Sequence, residues 1–202
     1  MTPQDNASPV GPRIPPLPPP YTSEVAALLQ KWMPPGSDAE PLRLFRTLCV
    51  HPELSSRMRS LGSGILGHGL VEPREREIVI DRTCARAGAE YEWGVHSVVF
   101  GEAVGLTEAQ IAATASGDAS APVWSNRDRL LVRLADELHD SAAVSDELWS
   151  ALAIHWNPPQ LLELLVIAGW YRLLAYVING TRVEGEPWAP RFPPLSSHES
   201  GR

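Results

Sequence analysis

The chain has 202 residues, enough for one domain with a sizeable core and terminal extensions. Its formal net charge of -7, with no run of lysine or arginine, argues against a nucleic-acid surface and favours a small-molecule partner. The two cysteines, Cys49 and Cys84, form no disulfide framework, zinc pattern or Cys-x-x-Cys pair, so we expect a cytoplasmic protein.

Proline-rich sequence without helical or strand periodicity fills residues 1–20. We expect an extended arm, either mobile or packed on a neighbouring subunit. The segment lacks the basic region and apolar core of a secretory signal. The predicted domain covers residues 21–185, and residues 186–202 form a predicted tail.

Helix start and stop signals recur at helix-length intervals in this domain, and no segment alternates as a strand does, so the predicted fold class is all-α. Helices are predicted to begin at or just after Thr22, Pro41, His51, Pro73, Glu90, Thr107, Ser125, Ser145 and Asn157. Inward faces are expected at Leu42, Phe45 and Leu48 in the second helix and at Leu54, Met58 and Leu61 in the third. The glycines of LGSGILGHGLV are expected to break regular structure after it.

The predicted last helix, LLELLVIAGWYRLLAYVIN, is apolar on nearly all sides, so it must be covered by the fold or by another subunit. Glu163, Gly169 and Arg172 interrupt its apolar run, which favours a buried core helix over a membrane span. Arg172 either pairs with a carboxylate on another helix or binds a substrate carboxylate with its planar fork of donors.

The residues best suited to chemistry lie within residues 73–105, in two helices separated by Gly88. Glu92 and His96 stand four apart and share one helix face. Glu77 comes beside them if the two helices fold back as a hairpin. Such a set can transfer protons, because a carboxylate orients an imidazole and favours its charged form. The alternative is a surface helix pair that contributes only about 0.2–0.5 kcal/mol.

The stretch EPREREIVIDRTCARAGAEYEWGVHSVVFGEAVGLTEAQIAA resembles the core motif of the carboxymuconolactone decarboxylase-like group, which includes the alkylhydroperoxidase proteins. The later LLELLVIAGWYRLLAYVING resembles the final helix of that group. The resemblance covers roughly residues 40–185. It implies a helical-hairpin core and assembly as a homo-oligomer, a trimer or hexamer.

The alkylhydroperoxidase branch has a glutamate, two cysteines three apart, and a histidine four residues after the second cysteine. Glu77 and His96 match the glutamate and the histidine, whereas Ala89 and Glu92 stand at the cysteine positions. A dithiol peroxidase needs one thiol to attack the peroxide and another to resolve the sulfenic acid. A peroxidase is therefore disfavoured, since Cys84 on the preceding helix would have to act alone.

The decarboxylase branch resembles this sequence in lacking the cysteine pair and in its Tyr-Glu-Trp-x-x-His-like stretch. This resemblance implies an enzyme without metal or organic cofactor that decarboxylates a carboxylated lactone or keto acid. His96, Glu92 and Glu77 are the expected catalytic residues. Tyr91 and Trp93 are expected either to wall the substrate pocket or to be plain core aromatics.

Two further residues are expected to bind substrate. One is Arg172; the other is His68, in a loop near the central helices, unless that histidine is simply solvated. No metal site is expected, because Glu92 and His96 with one further carboxylate form an incomplete ligand set. Three other functions remain open: an alkylhydroperoxidase/peroxiredoxin-type antioxidant protein, an isomerase/dehydratase-type tailoring enzyme, and a non-catalytic oligomeric binding protein. Neither a nucleic-acid nor a membrane partner is expected.

Overall fold

A computed structural model describes residues 11–34 and 36–194, so the ends of the predicted arm and tail lie outside it. Within these residues all regular structure is helical, which confirms the all-α fold. The helices are α1 (Ser23–Trp32), α2 (Arg43–Leu48), α3 (Pro52–Gly67), α4 (Pro73–Arg86), α5 (Glu90–His96), α6 (Glu108–Ser116), α7 (Asn126–Ser141), α8 (Asp146–Ala153) and α9 (Pro158–Thr181). A π-helical turn, Ser97–Gly101, directly follows α5.

Short polar side chains cap the helices where the sequence predicts. Thr107, Ser125 and Asn157 each form a reciprocal capping box with the third residue of α6, α7 and α9. Pro73 occupies the first turn of α4, and Gly88 follows that helix with a φ of 65°. The chain reverses at this glycine, so α4 and α5 pack together as the predicted hairpin.

Helix α4 is the centre of the fold and contacts α5, α6, α7 and α9. Two arginines join it to α7. Arg74 donates to both oxygens of Asp128 at 2.7 and 3.1 Å, and Arg82 donates to both oxygens of Asp136 at 2.7 and 3.0 Å. These bidentate pairs fix the geometry between α4 and α7.

Helix α9 has the length and composition of a membrane span, with a mean hydropathy of 1.8. Nine of its residues are nonetheless buried by the rest of the chain. It is therefore a core helix in this fold. Its outer face carries an exposed apolar row, here called the α9 stripe: Leu162 (64% exposed), Val166 (38%), Leu173 (41%) and Tyr176 (65%).

Helix α3 runs through Gly62 and Gly64 and ends at Gly67, so the predicted break before α4 falls only in the second half of the glycine-containing segment, at residues 68–72. Gly62 shows why a glycine is placed in this helix. A Cβ there would stand 3.1 Å from Cζ2 of Trp170 on α9, so the glycine allows the large indole to pack against the α3 backbone.

The inward face of α3 also differs from the prediction. Leu54 and Leu61 are 49% and 46% exposed, whereas Ser55 and Ile65 are buried. Ser55 accepts a hydrogen bond from the indole N–H of Trp32 at 3.0 Å. The space inside is filled by tryptophans of neighbouring helices, so α3 presents small residues there.

Helix α2 begins at Arg43, two positions after the predicted start at Pro41. Leu44 is the buried residue of the first turn of α2, at 1% exposed. Leu42 occupies the position just before the helix and is half-buried. Phe45 is half-buried and packs in a small second cluster with α1.

Both described terminal segments pack on the helical domain. The backbone N–H of Arg13 donates to the carbonyl of Thr181 at the end of α9, at 2.7 Å. At the other end, the C-terminal segment 183–194 lies against α5, where the backbone N–H of Phe192 donates to the Glu90 carboxylate at 2.9 Å. The described parts of the arm and the tail are therefore packed against the domain.

Candidate active site

The α4–α5 hairpin brings Glu77, Glu92 and His96 together. Glu77 Oε2 lies 2.7 Å from His96 Nδ1, a hydrogen bond that joins the two helices. Glu92 Oε1 lies 3.6 Å from His96 Nε2, beyond ordinary hydrogen-bond distance. The imidazole therefore stands between two carboxylates, held firmly on one side and loosely on the other.

This cluster lies inside the protein and is not a surface helix pair. Glu77 is 0%, His96 4% and Glu92 7% exposed. Burial alone would lower the pKa of His96, but the charge and hydrogen bond of Glu77, followed by the nearby Glu92 carboxylate, outweigh it and raise the pKa to about 10. The ring is therefore an imidazolium at neutral pH.

Glu77 is held at both oxygens. Its Oε1 accepts a hydrogen bond from Nε of Arg76 at 3.0 Å, and its Oε2 contacts His96. Arg76 is itself buried and donates through Nη1 to the carbonyl of Leu66 at 3.1 Å. Glu77 is thus a fixed group that orients and charges the ring, while Glu92 is the freer carboxylate.

Asp81 is a member of the cluster that the sequence analysis missed. It lies one turn after Glu77 on α4, is fully buried, and neither carboxyl oxygen has a hydrogen-bond partner among the described residues. Burial raises its pKa well above the usual value; the His96 charge opposes this, and the negative charges of Glu77 and Glu92 add to it. This shift favours the protonated form of Asp81, and the i, i+4 spacing of Asp81 from Glu77 was the available signal.

Two aromatic rings flank the imidazole. Tyr171 of α9 meets it edge-on, with ring centroids 5.0 Å apart and planes at 88°. Phe100 packs on it at 4.9 Å and 31°, from the π-helical turn that follows α5. Single π-helical turns within helices often occur at functional sites. Here the turn places Phe100 over the ring.

Tyr91 and Trp93 are not brought to the imidazole. The Tyr91 hydroxyl donates to Glu186 at 2.7 Å and accepts from the backbone N–H of Leu44 at 3.1 Å. The Trp93 indole N–H donates to the hydroxyl of Thr114 on α6 at 2.8 Å. Both side chains are buried, in the positions of the core aromatics that the sequence offered as the alternative.

Arg172 and His68 also lie apart from the cluster. Arg172 hydrogen-bonds through Nη1 to Nδ1 of His139 and through Nε to the hydroxyl of Tyr176. His68 is exposed at the C-terminal end of α3. Their expected contact with a substrate at His96 stays a prediction that no contact in the structure supports.

Both thiols are free and buried, at 0% exposed for Cys84 and 1% for Cys49. Burial, followed by the negative charges of the cluster, raises the pKa of Cys84 well above the usual value. Burial also raises the pKa of Cys49. Both side chains are therefore protonated thiols. Among the described residues, no group of three or more His, Cys, Asp or Glu side chains has a metal-binding arrangement.

Residues 52–137, which contain the whole cluster, match the carboxymuconolactone decarboxylase family. This match confirms the family resemblance. Among curated proteins, none is similar enough in sequence to match the chain.

Solved structures share the fold at low sequence identity. A peroxidase-related protein from Silicibacter sp. has a TM-score of 0.73 at 13% identity, over 87% of this chain and 92% of that one. The debrominase Bmp8 in complex with 2,3,4-tribromopyrrole scores 0.74 at 13% identity, over 89% and 94%. An alkylhydroperoxidase AhpD core protein from Ralstonia eutropha scores 0.70 at 15% identity, over 86% and 93%. At such identities the likeness shows the fold alone.

Proposed function

We propose that this chain, whose residues 52–137 match the carboxymuconolactone decarboxylase family, is a cofactor-independent acid–base enzyme that decarboxylates a carboxylated lactone or keto acid. The observation that carries this proposal is the buried imidazolium of His96 between Glu77 and Glu92. A fixed cation inside a protein is suited to stabilise an anion that develops during a reaction.

In the proposed reaction, the bond between the ring or chain carbon and the carboxylate breaks and carbon dioxide leaves. The electron pair of that bond moves into the conjugated carbonyl and forms an enolate. Nδ1 of His96 is occupied by Glu77, so Nε2–H is the donor that faces the enolate oxygen. Nε2 of His96 then gives its proton to the carbon, which leaves a neutral ring and completes the reaction with no net electron transfer.

Glu77 and Glu92 have different parts in this proposal. Glu77 keeps the ring oriented and protonated, because both of its oxygens are already bound. Glu92 is the most exposed of the three groups and the one nearest Nε2, so it returns a proton from solvent to the ring after each turnover.

Access to Nε2 requires movement, because His96 is only 4% exposed. Phe100 covers the ring and is half-buried on the π-helical turn. Displacement of this side chain is the proposed opening, and its return would exclude water while the enolate exists. Phe100 and Tyr171 would then form the substrate walls that the sequence assigned to Tyr91 and Trp93.

The thiol chemistry of a peroxidase has less support. Ala89 and Glu92 occupy the cysteine positions of the alkylhydroperoxidase motif. Cys84 is fully buried, and its raised pKa disfavours the thiolate that would attack a peroxide. We therefore assign the acid–base role to His96 and the two glutamates, with a structural role for Cys84.

The proposal is tested by mass-spectrometric detection of carbon dioxide released from a panel of carboxylated lactones and β-keto acids. We expect release by the wild type and by Cys84→Ala, and a loss of roughly 10²–10⁴-fold in His96→Gln. Circular dichroism should show the same helical content in all three proteins. Equal release by His96→Gln and the wild type would contradict the proposal.

The same reaction mixtures distinguish the other functions. Products of unchanged mass would indicate an isomerase, and products lighter by one water a dehydratase. Consumption of an added alkyl hydroperoxide that Cys84→Ala abolishes would indicate a thiol peroxidase. Saturable binding without any turnover would indicate a binding protein.

We also propose that the chain forms a homo-oligomer through α9. The α9 stripe repeats at intervals of four, seven and three residues, the spacing of a helix seam that packs on another helix. We expect Leu173→Glu, at the middle of the stripe, to lower the mass measured by light scattering to that of a smaller species. An exposed leucine of α3 supplies the control: Leu54→Glu should leave the mass unchanged. A wild-type protein that is a monomer would contradict the proposed oligomer without affecting the proposed decarboxylase activity.

A further inference from the structure

A cavity lies between α7 and α9. It has a volume of about 220 Å³ and shares no lining residue with the His96 cluster. Its apolar walls are formed by Ala135, Leu138, Leu165 and Ala168. Three polar side chains, from three different helices, also line it: Thr83 of α4, His139 of α7 and Arg172 of α9.

Arg172 brings a positive charge without a carboxylate partner among the described residues. Its two side-chain partners, His139 and Tyr176, are both uncharged acceptors in this arrangement. The acidic residues nearest to His139 are already paired: Asp136 with Arg82 and Asp140 with Arg86. The guanidinium therefore keeps free N–H donors for an anion.

His139 adds a neutral donor. Its Nδ1 accepts from Nη1 of Arg172, so the ring proton lies on Nε2. Burial, followed by the charges of Arg172 and Arg86, lowers the pKa of His139, which keeps the ring neutral at neutral pH. Since Nδ1 is taken, Nε2–H is the group that the ring can offer to a ligand.

Thr83 is the observation that points most directly to a ligand. Its side chain lines the cavity and the residue is only 6% exposed, yet its hydroxyl has no hydrogen-bond partner among the described residues. Buried polar groups are nearly always paired, so an unpaired hydroxyl at a cavity wall indicates a missing partner.

We propose that this cavity binds a small organic acid, with its carboxylate on Arg172, His139 and Thr83 and its apolar body against the α7 and α9 side chains. The guanidinium fork fits a carboxylate by two parallel hydrogen bonds, and the two neutral donors suit its remaining lone pairs. The apolar walls favour a short aliphatic or aromatic body over a polar one. This binding site is independent of the reaction proposed at His96.

The test uses isothermal titration calorimetry of the full chain with benzoate, cyclohexanecarboxylate and hexanoate, and with benzamide as the uncharged match to benzoate. We expect saturable binding of at least one acid in the millimolar range or tighter and none of benzamide. Arg172→Gln should weaken that binding at least about tenfold, as loss of a charged hydrogen-bond donor does. Arg172→Lys should give a smaller loss, because the charge stays while the fork is lost.

Thr83→Val and His96→Gln are the matched variants. Thr83→Val keeps the shape of the side chain and should weaken binding several-fold, and His96→Gln should leave it unchanged. Amide shifts in a two-dimensional NMR spectrum of each variant would show that the fold is kept. Four results would overturn the proposal: no binding of any acid, equal binding of benzamide, acid binding that Arg172→Gln leaves intact, or acid binding that His96→Gln abolishes. None of these results bears on carbon dioxide release, so the two proposals can fail separately.

Discussion

The charge of the His96 ring depends mainly on Glu77, and Glu77→Gln removes that dependence with little change in shape. The amide can still face Nδ1, where the carboxylate now lies at 2.7 Å. Only Glu92 would then oppose the effect of burial on the ring. We therefore expect the variant ring to lose its proton at a much lower pH than the wild-type ring.

The size of the effect follows from the pKa of His96, which rises from its usual 6.5 to about 10 in the folded protein. At about 1.4 kcal/mol per pH unit, this favours the folded imidazolium by on the order of 5 kcal/mol. Because the folded-state pKa is the higher one, this stabilisation is complete below about pH 6.5 and is lost as the pH rises to about 10. Glu77→Gln should remove most of this slope between the two pH values.

Histidine-labelled protein gives a direct readout, because the chain has only six histidines. We expect the wild-type His96 signal to stay that of an imidazolium from about pH 5 to pH 9, and to titrate or become neutral within that range in Glu77→Gln. His139, whose pKa is lowered, is the internal comparison and should titrate below the usual histidine range in both proteins. A wild-type His96 that titrates near 6.5 would refute the assignment of its charge to Glu77.

Three further changes test the packing around the site. Asp81→Asn should raise the free energy of unfolding at neutral pH, because folding raises the pKa of Asp81 and favours uptake of a proton there. The gain should vanish when the pH falls to the usual pKa of 3.8. Urea unfolding at both pH values gives the comparison, and equal gains at the two pH values would contradict the raised pKa. Gly64→Ala should stabilise α3 by about 0.5–1 kcal/mol, whereas the matched change Gly62→Ala should not, because the new Cβ would press on Trp170. Equal shifts of the melting temperature in the two variants would contradict the packing of Trp170 against Gly62. Tyr91→Phe should cost about 1–3 kcal/mol, because it leaves the buried N–H of Leu44 unpaired, and it should speed amide exchange in the C-terminal segment by removing the hydrogen bond to Glu186; unchanged exchange would exclude that anchoring role.

Local geometry made the centre of the site predictable. A spacing of four places Glu92 and His96 on one helix face, and Gly88 marks the reversal that returns Glu77 to them. These relations depend on helix period and turn chemistry, which a sequence displays directly. Asp81 follows the same spacing rule from Glu77 and was within reach of the same reasoning.

The two aromatic rings beside the imidazole, Tyr171 and Phe100, were not predictable in this way. Tyr171 comes from α9, far along the chain, and nothing in the spacing of α5 indicates which residue of α9 meets the imidazole. Phe100 depends on a π-helical turn, which changes the register of the helix after His96. Tyr91 and Trp93 lie closer to His96 in the sequence, but their polar atoms are satisfied elsewhere, by Glu186 and Thr114 among others.

Helix α3 shows the limit of hydrophobic periodicity. Leu54 and Leu61 form the more apolar row, so the pattern placed them inside. The inward row instead contains Ser55 and Gly62, since side chains of α1 and α9 occupy that space. At a contact between two helices, the large side chains can come from either helix. The sequence of one helix alone therefore does not show whether its large or its small residues face the contact.

The claim that this fold performs acid–base chemistry at His96 without a thiol is tested most directly with the double variant Cys49→Ala/Cys84→Ala. We expect this protein, assayed with a metal chelator, to release carbon dioxide from a carboxylated lactone or β-keto acid at the wild-type rate. The same protein carrying His96→Gln should release carbon dioxide only at the uncatalysed rate. Activity that disappears with the two thiols, or that survives the loss of His96, would contradict the proposed mechanism.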